Sequence, residues 1–301
     1  MKLDIPNIVG FSAPFQNVGK VRNVGWELGI AYQKRWNDFS LGVSANLSDV
    51  KNEITDMKGI SSTSGEIRNQ EGSPINSIYG LVCEGFINSQ EEADDINANC
   101  PQFGTTVHPG DLKYADINHD NKITADDKTI IGSTIPRYTY SLGLNLEYKR
   151  FHLDALFQGV GKADGYLNTY YVMPCQQGGT YRTEHLDYWR EDNKDAATPR
   201  LSYKSSNNSQ QSSFWMRSAA YLRLKSLQFG YDLPTQWLQR AGINGAYIYL
   251  DAQNLFTWTD FYQGYDPEVN YDASATDGVS LGDANNYPQV STFTLGVKLN
   301  F

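Results

Sequence analysis

Thr292 to Phe301, the last ten residues, constrain the fold more than any other stretch of the sequence. Phe293, Leu295, Val297, Leu299 and Phe301 alternate with Thr294, Gly296, Lys298 and Asn300. In a strand, successive side chains point to opposite faces of the sheet. One face of this strand therefore suits hydrocarbon, and the other suits water. A soluble sandwich strand can carry the same alternation. What narrows the choice is the in-register aromatic Phe301 on which the sequence stops. That ending is expected of a closing strand in an outer-membrane β-barrel, where an aromatic sits at the membrane interface.

The pattern recurs upstream. Trp26, Leu28 and Ile30 alternate with Glu27, Gly29 and Ala31. After Asn37-Asp38, Phe39, Leu41, Val43, Ala45 and Leu47 alternate with Ser40, Gly42, Ser44, Asn46 and Ser48, which predicts a tight hairpin. A second hairpin turns at Lys149-Arg150, between Tyr138–Tyr148 and Phe151–Phe157. Leu222 and Leu224 share one phase while Leu227, Phe229 and Tyr231 take the other, which predicts a bulge near Lys225-Ser226. A short helical piece from Thr235 to Ala241 and a strand from Tyr247 to Leu255 follow.

Three long segments separate these units: Asp49 to Pro136, Gly159 to Ala219 and Trp258 to Val290. Short turns at one end and long loops at the other are the pattern of a bacterial outer-membrane barrel, and a soluble sandwich rarely carries several such loops. The expected fold is all-β, an antiparallel transmembrane barrel. About seven strands are legible, whereas single-chain bacterial barrels have even numbers. Seven would also leave edges that lipid cannot satisfy. The whole chain, 1–301, thus reads as the terminal part of a larger barrel, with 49–136 as a long extracellular loop. Met1-Lys2-Leu3-Asp4-Ile5-Pro6 lacks the apolar core of a signal peptide, as expected of a piece whose beginning is missing.

The formal net charge of −9 argues against nucleic acid as a partner. No run approaches the roughly 18 apolar residues of a membrane helix. The 20 Tyr, 13 Phe and 6 Trp suit interfacial girdles and also surfaces that grip sugars or peptides. Cys83, Cys100 and Cys175 are too few and too irregular for a metal cluster; Cys83 and Cys100 either pair in an oxidising compartment or stay free.

The sharpest local motif runs from Asp116 to Asp127. Asp116, Asn118, Asp120, the Lys122 carbonyl and Asp127 occupy positions 1, 3, 5, 7 and 12 of a calcium loop, where alternate residues offer oxygen to one cation. Asn121 stands where such loops carry Gly, and Asn tolerates the left-handed conformation that position needs. No amphipathic helix precedes the loop, so the expected cation is structural rather than sensory; the plainer reading is an acidic solvated turn. His108, His119, His152 and His185 lack metal-ligand spacing, and His119 is expected to face solvent. No phosphate loop, GxSxG or HExxH occurs. Asp266 and Glu268 could serve as a glycosidase pair, but Pro267 between them reads better as a rigid turn. The sequence offers no enzyme.

Several segments together carry a resemblance. They are Gly110-Asp111-Leu112-Lys113-Tyr114 leading into the acidic loop, Thr129-Ile130-Ile131-Gly132, Tyr221-Leu222-Arg223-Leu224-Lys225 and Phe229-Gly230-Tyr231-Asp232-Leu233-Pro234. Gln253-Asn254-Leu255-Phe256-Thr257, Tyr265-Asp266-Pro267-Glu268 and the closing strand complete them. In this order they resemble the C-terminal third of the SusC/RagA family of TonB-linked outer-membrane transporters. The resemblance implies a plugged barrel of about 22 strands, import of glycans or peptides, a SusD-like lipoprotein over the extracellular face, and TonB acting through a plug that this stretch lacks. The rival readings are a soluble calcium-stabilised β-protein, such as a carbohydrate-binding module, and a secreted glycan hydrolase.

Overall fold

The computed structural model describes residues 19–166, 172–174, 180–203, 205–239, 242–268, 271–272, 280–281 and 289–301. Met1–Pro6 and Cys175 lie outside these residues. In chain order the elements begin with β1 (Lys20–Trp36), β2 (Phe39–Asp56), β3 (Ser62–Ser64), β4 (Ile67–Asn69), β5 (Ser77–Gly80), β6 (Cys83–Phe86) and α1 (Gln90–Asn99). Next come β7 (Leu112–Tyr114), β8 (Thr129–Ser133), β9 (Arg137–Tyr148), β10 (Phe151–Lys162), β11 (Asp164–Tyr166) and β12 (Met216–Ser218). The chain closes with β13 (Tyr221–Asp232), α2 (Thr235–Leu238), β14 (Gly245–Thr259), β15 (Tyr271–Asp272), β16 (Ser280–Leu281) and β17 (Thr292–Asn300).

Seven long strands form one antiparallel sheet in the order β1-β2-β9-β10-β13-β14-β17. Its register sorts side chains into rows of opposite character. One row runs Tyr32–Val43–Leu144–Ala155–Leu227–Ala252–Phe293. A nearby row on the other face runs Gln33–Gly42–Asn145–Asp154–Gln228–Asp251–Thr294. A slip of one residue in any strand would exchange the two characters, so the alternation itself pins the register. Trp26, Leu28, Ile30, Phe39, Leu41, Leu142, Leu295, Val297 and Leu299 all fall on the apolar face, and Glu27, Ser44 and Lys298 on the polar one.

The tight turns sit where the sequence places them, with Asn37 at φ 45° and Lys149 at φ 56°. The phase switch in β13 is a bulge at Lys225, which lacks a register partner on β10 or β14. Opposite it, β14 carries extra residues at Asn254-Leu255, with Asn254 left-handed at φ 52°. Several boundaries differ from the sequence reading; β10, for one, runs to Lys162 and α2 spans Thr235–Leu238. β2 continues to Asp56 rather than ending before Asp49: although the apolar phase switches after Leu47, pairing with β1 runs on, with Val50 opposite Gly25, Asn52 opposite Asn23 and Ile54 opposite Val21. β14 begins at Gly245 and runs to Thr259, since the bulge restores its phase for Phe256 and Trp258.

The long connections all leave the same end of the sheet and fold together into a cap. Within it, β3-β4-β5-β8 form a four-stranded sheet, and β6-β7 and β11-β12 form two small ladders. One core gathers Ile67, Ile78, Leu81, Leu112, Tyr114 and Ile123 from the first connection, Tyr166, Met173 and Trp215 from the second, and Phe261 from the third. Each such side chain contributes about 1.5–3 kcal/mol by leaving water. This shared burial holds three otherwise separate loops in one shape. α1 is capped by Ser89 Oγ, which accepts from Glu92 N at 3.1 Å, and it buries Ala93 and Ile96 beside Ile87 and Val107.

Candidate functional site

The polar face of the sheet is the first functional surface. Serines, asparagines and glycines leave much of it open, and tyrosines lie over two of its glycines: a Cβ on Gly296 would meet the Tyr249 ring, and one on Gly230 the Tyr247 ring. Tyr247 and Tyr249 stack there with ring centroids 5.7 Å apart. A trough of about 430 Å³ runs across Gln33, Ser40, Ser44, Asn145, Glu147 and Asp154. It is a hydrated wall, with exposed pairs such as Arg35 to Glu147 at 3.3 Å.

At the cap end of this wall, Arg223 is 2% exposed and fully engaged. Its Nη2 donates to both oxygens of Asp266 at 2.8 Å, Nη1 to Glu268 at 2.7 Å and Nε to Thr257 at 2.9 Å. Tyr221 donates to the other Glu268 oxygen at 2.6 Å, and Lys225 lies 3.7 Å from Glu268. The Tyr265–Glu268 turn is thereby latched to the inner wall. A planar guanidinium suits this role, since one fork can hold two carboxylates at once. Read in sequence, Asp266 and Glu268 looked like a possible acid pair or a turn; the turn is the structural outcome. Sequence reasoning missed Arg223. The available signal was an arginine on the polar phase of an otherwise apolar-alternating strand, with two spare carboxylates downstream.

The run Gly110–Tyr114 has an equally physical basis. Gly110 sits at φ 85°, and a Cβ there would meet the Trp189 ring at 2.4 Å. Asp111 accepts from Arg200 Nε at 2.6 Å, Arg200 Nη2 at 3.1 Å and Asn208 at 2.8 Å. Leu112 enters the core, and Tyr114 donates to the Asn207 carbonyl at 2.7 Å. These contacts lock the first connection to the second.

In the acidic loop, His119 is exposed and left-handed, and Asn121 is left-handed at φ 60°, as the motif requires. Asp127 is fully buried; its carboxylate accepts from Ile117 N at 3.1 Å and Thr124 N at 2.8 Å. Asp116 accepts from Asp120 N at 3.3 Å and Asn121 N at 2.9 Å, and Asn118 Oδ1 from Asp120 N at 3.0 Å. Asp120 accepts from Lys122 N and pairs with Lys122 Nζ at 3.4 Å. The donors are all oxygen, which fits calcium in kind. Among the described residues, however, no three His, Cys, Asp or Glu side chains converge on one point; here the carboxylates hold the loop's own N–H groups.

Cys83 and Cys100 are both free thiols packed against the cap core. Burial pushes the Cys83 thiol up to about 11. Cys100 is raised as well, by burial first and then by the charges of Asp116, Asp127 and Asp120.

No protein-family model matches the chain. Individual relatives do, along its whole length. The chain is 29% identical to TonB-dependent receptor P3 of Formosa agariphila over 99% of its own length and 30% of the relative's. It is 25% identical to TonB-dependent receptor SusC of Bacteroides thetaiotaomicron over 99% of its length and 28% of that protein. Its fold superposes on the RagAB peptide transporter with a TM-score of 0.76 and 26% identity, covering 100% of this chain and 32% of the other. The chain is similar along its whole length to TonB-dependent receptors of the SusC/RagA kind. It spans less than a third of the length of the relatives it matches. By this likeness, the two-faced sheet is a segment of β-barrel wall, and the cap is what its long connections build at one rim.

Proposed function

We propose that the receptor takes up oligomeric glycans or peptides across a bacterial outer membrane. The observation that carries this reading is the pair of rows across all seven wall strands, one apolar and one polar. A sheet with that inversion needs lipid on one side and a hydrated lumen on the other. The cap then faces the cell exterior, where a SusD-like lipoprotein covers it, and TonB acts through parts of the receptor outside this chain. The protein's work is transport rather than catalysis.

Within this reading, the loop 116–127 binds a structural calcium-like cation through Asp116, Asn118, Asp120, the Lys122 carbonyl and Asp127. The ligand spacing and the left-handed Asn121 support it, and the cation would draw the carboxylates off the loop N–H groups. Calorimetry of a loop peptide with an Asp116→Ala/Asp120→Ala control tests this: equal heats with calcium in both would refute it.

The import reading is tested with the full-length receptor in its native host. An in-frame deletion should abolish growth on an oligosaccharide or an oligopeptide as sole nutrient, and the receptor should purify from outer membranes with a lipoprotein in equal amount. Undiminished growth on every such nutrient, or recovery of the receptor in the soluble fraction, would contradict it.

A further inference from the structure

A cavity of about 110 Å³ lies in the cap, lined by residues of the second connection and the third. Trp215, Tyr262 and Tyr265 supply aromatic surface, and Arg182, Arg217 and Glu184 the charges. Arg182 and Glu184 lie 3.5 Å apart and largely offset one another. His185 is buried, its Nδ1 accepting from Arg182 N at 3.2 Å and its Nε2 3.0 Å from the Val172 carbonyl. Arg217 differs. Its Nη1 donates to the carbonyls of Phe214 and Met216, both at 2.9 Å, and its guanidinium lies 5.2 Å over the Tyr262 ring. Among the described residues, no carboxylate reaches ion-pair distance of Arg217, in a chain whose formal net charge is −9.

We propose that this cavity binds the carboxylate end group of an imported oligomer, with Arg217 as its anchor. A guanidinium presents a fork matched to a carboxylate, and aromatic walls take the apolar body behind it. Pockets built this way use a few placed polar groups for orientation. The volume is below the roughly 150 Å³ of a cavity that admits benzene, so one end group enters and the remainder of the oligomer stays outside. Tyr262 donates to the Trp215 carbonyl, which fixes its ring beneath Arg217. Tyr265 directly precedes Asp266, so the Arg223 latch positions this wall of the cavity. The carboxylate comes from a uronic acid or from a peptide C-terminus. The proposal rests on the import reading.

The test uses the full-length receptor purified from outer membranes in detergent, titrated with trigalacturonate and trialanine and with their methyl ester and amide. One acid should bind at least ten-fold more tightly than its uncharged counterpart, and which acid does so identifies the source. Arg217→Met should weaken that acid at least ten-fold and leave the uncharged form unchanged, with Arg217→Lys in between. Equal binding of acids and uncharged forms by the unaltered receptor, no binding of either acid, or an unchanged affinity in a folded Arg217→Met receptor would each overturn it. Uptake by cells separates the two readings: import without acid binding defeats the cavity and spares the importer. A receptor missing from the outer membrane defeats both.

Discussion

The wall and the cap obey opposite rules of burial within one chain. In the wall, Leu295 is 75% exposed, Ile30 61% and Phe293 66%, while polar side chains line the other face. In the cap, Ile78, Leu81 and Leu112 are completely buried. The same residue types are therefore placed for two different solvents. Apolar side chains in the wall are stabilised by contact with something outside the chain, whereas those in the cap are stabilised by one another. Exposed apolar surface on this scale marks an interaction surface, and together with the polar rows on the opposite face it fits a barrel wall with hydrocarbon outside.

The largest effect that would break this comparison comes from moving a charge by one residue. In the full-length receptor, Leu144→Arg should abolish barrel assembly, because arginine facing the bilayer midplane costs about 2–4 kcal/mol. Asn145→Arg, on the hydrated face, should assemble normally. Heat-modifiable migration of the two variants is the check, and equal tolerance would break the assignment of faces.

Next comes the junction between the regions. Arg223→Met leaves Asp266 buried without its partner, a change that costs about 3–5 kcal/mol. The Tyr265–Glu268 turn should become a protease site, with the wall still heat-modifiable. Arg35→Met at an exposed pair should cost at most about 1 kcal/mol and leave proteolysis unchanged.

A more local effect separates the cap's interior from the wall. Ile78→Ala should destabilise the cap by about 2–5 kcal/mol, seen as earlier proteolysis of the connections. Leu295→Ala, on the exposed face, should leave cap proteolysis unaltered. The smallest test touches no stability. With Cys83 held at about 11, its thiolate fraction at pH 8 falls far below that of an ordinary thiol near 8.5. Alkylation should run about a hundred-fold slower than for an exposed cysteine, and should accelerate as pH rises towards 11.

The wall was legible in sequence because a period of two survives into structure unchanged. Leu28, Val43, Leu144 and Leu295 each announced their face, and the switch from Leu224 to Leu227 announced the Lys225 bulge. The cap was not legible. Its strands are as short as three residues, as in β3, β4 and β7, and its core residues Ile78, Leu81, Leu112 and Ile123 share no period. Their common burial arises only when connections distant in sequence meet. The latch was hidden for the same reason: Arg223 and Asp266 lie 43 residues apart, and neither position carries a local signal of the other. The acidic loop was legible as a spacing of oxygen-bearing side chains, but not in the hydrogen bonds that join its carboxylates to its own N–H groups.

The central claim, that the two rows face two solvents, is tested most directly by nitroxide labels placed singly at positions 141 to 146 of the full-length receptor in bilayers. Collision rates with oxygen, which concentrates in lipid, and with a soluble nickel chelate should alternate out of phase. Positions 142, 144 and 146 should favour oxygen, and 141, 143 and 145 nickel. Uniform nickel access along the strand, or oxygen favoured at the odd positions, would contradict the account.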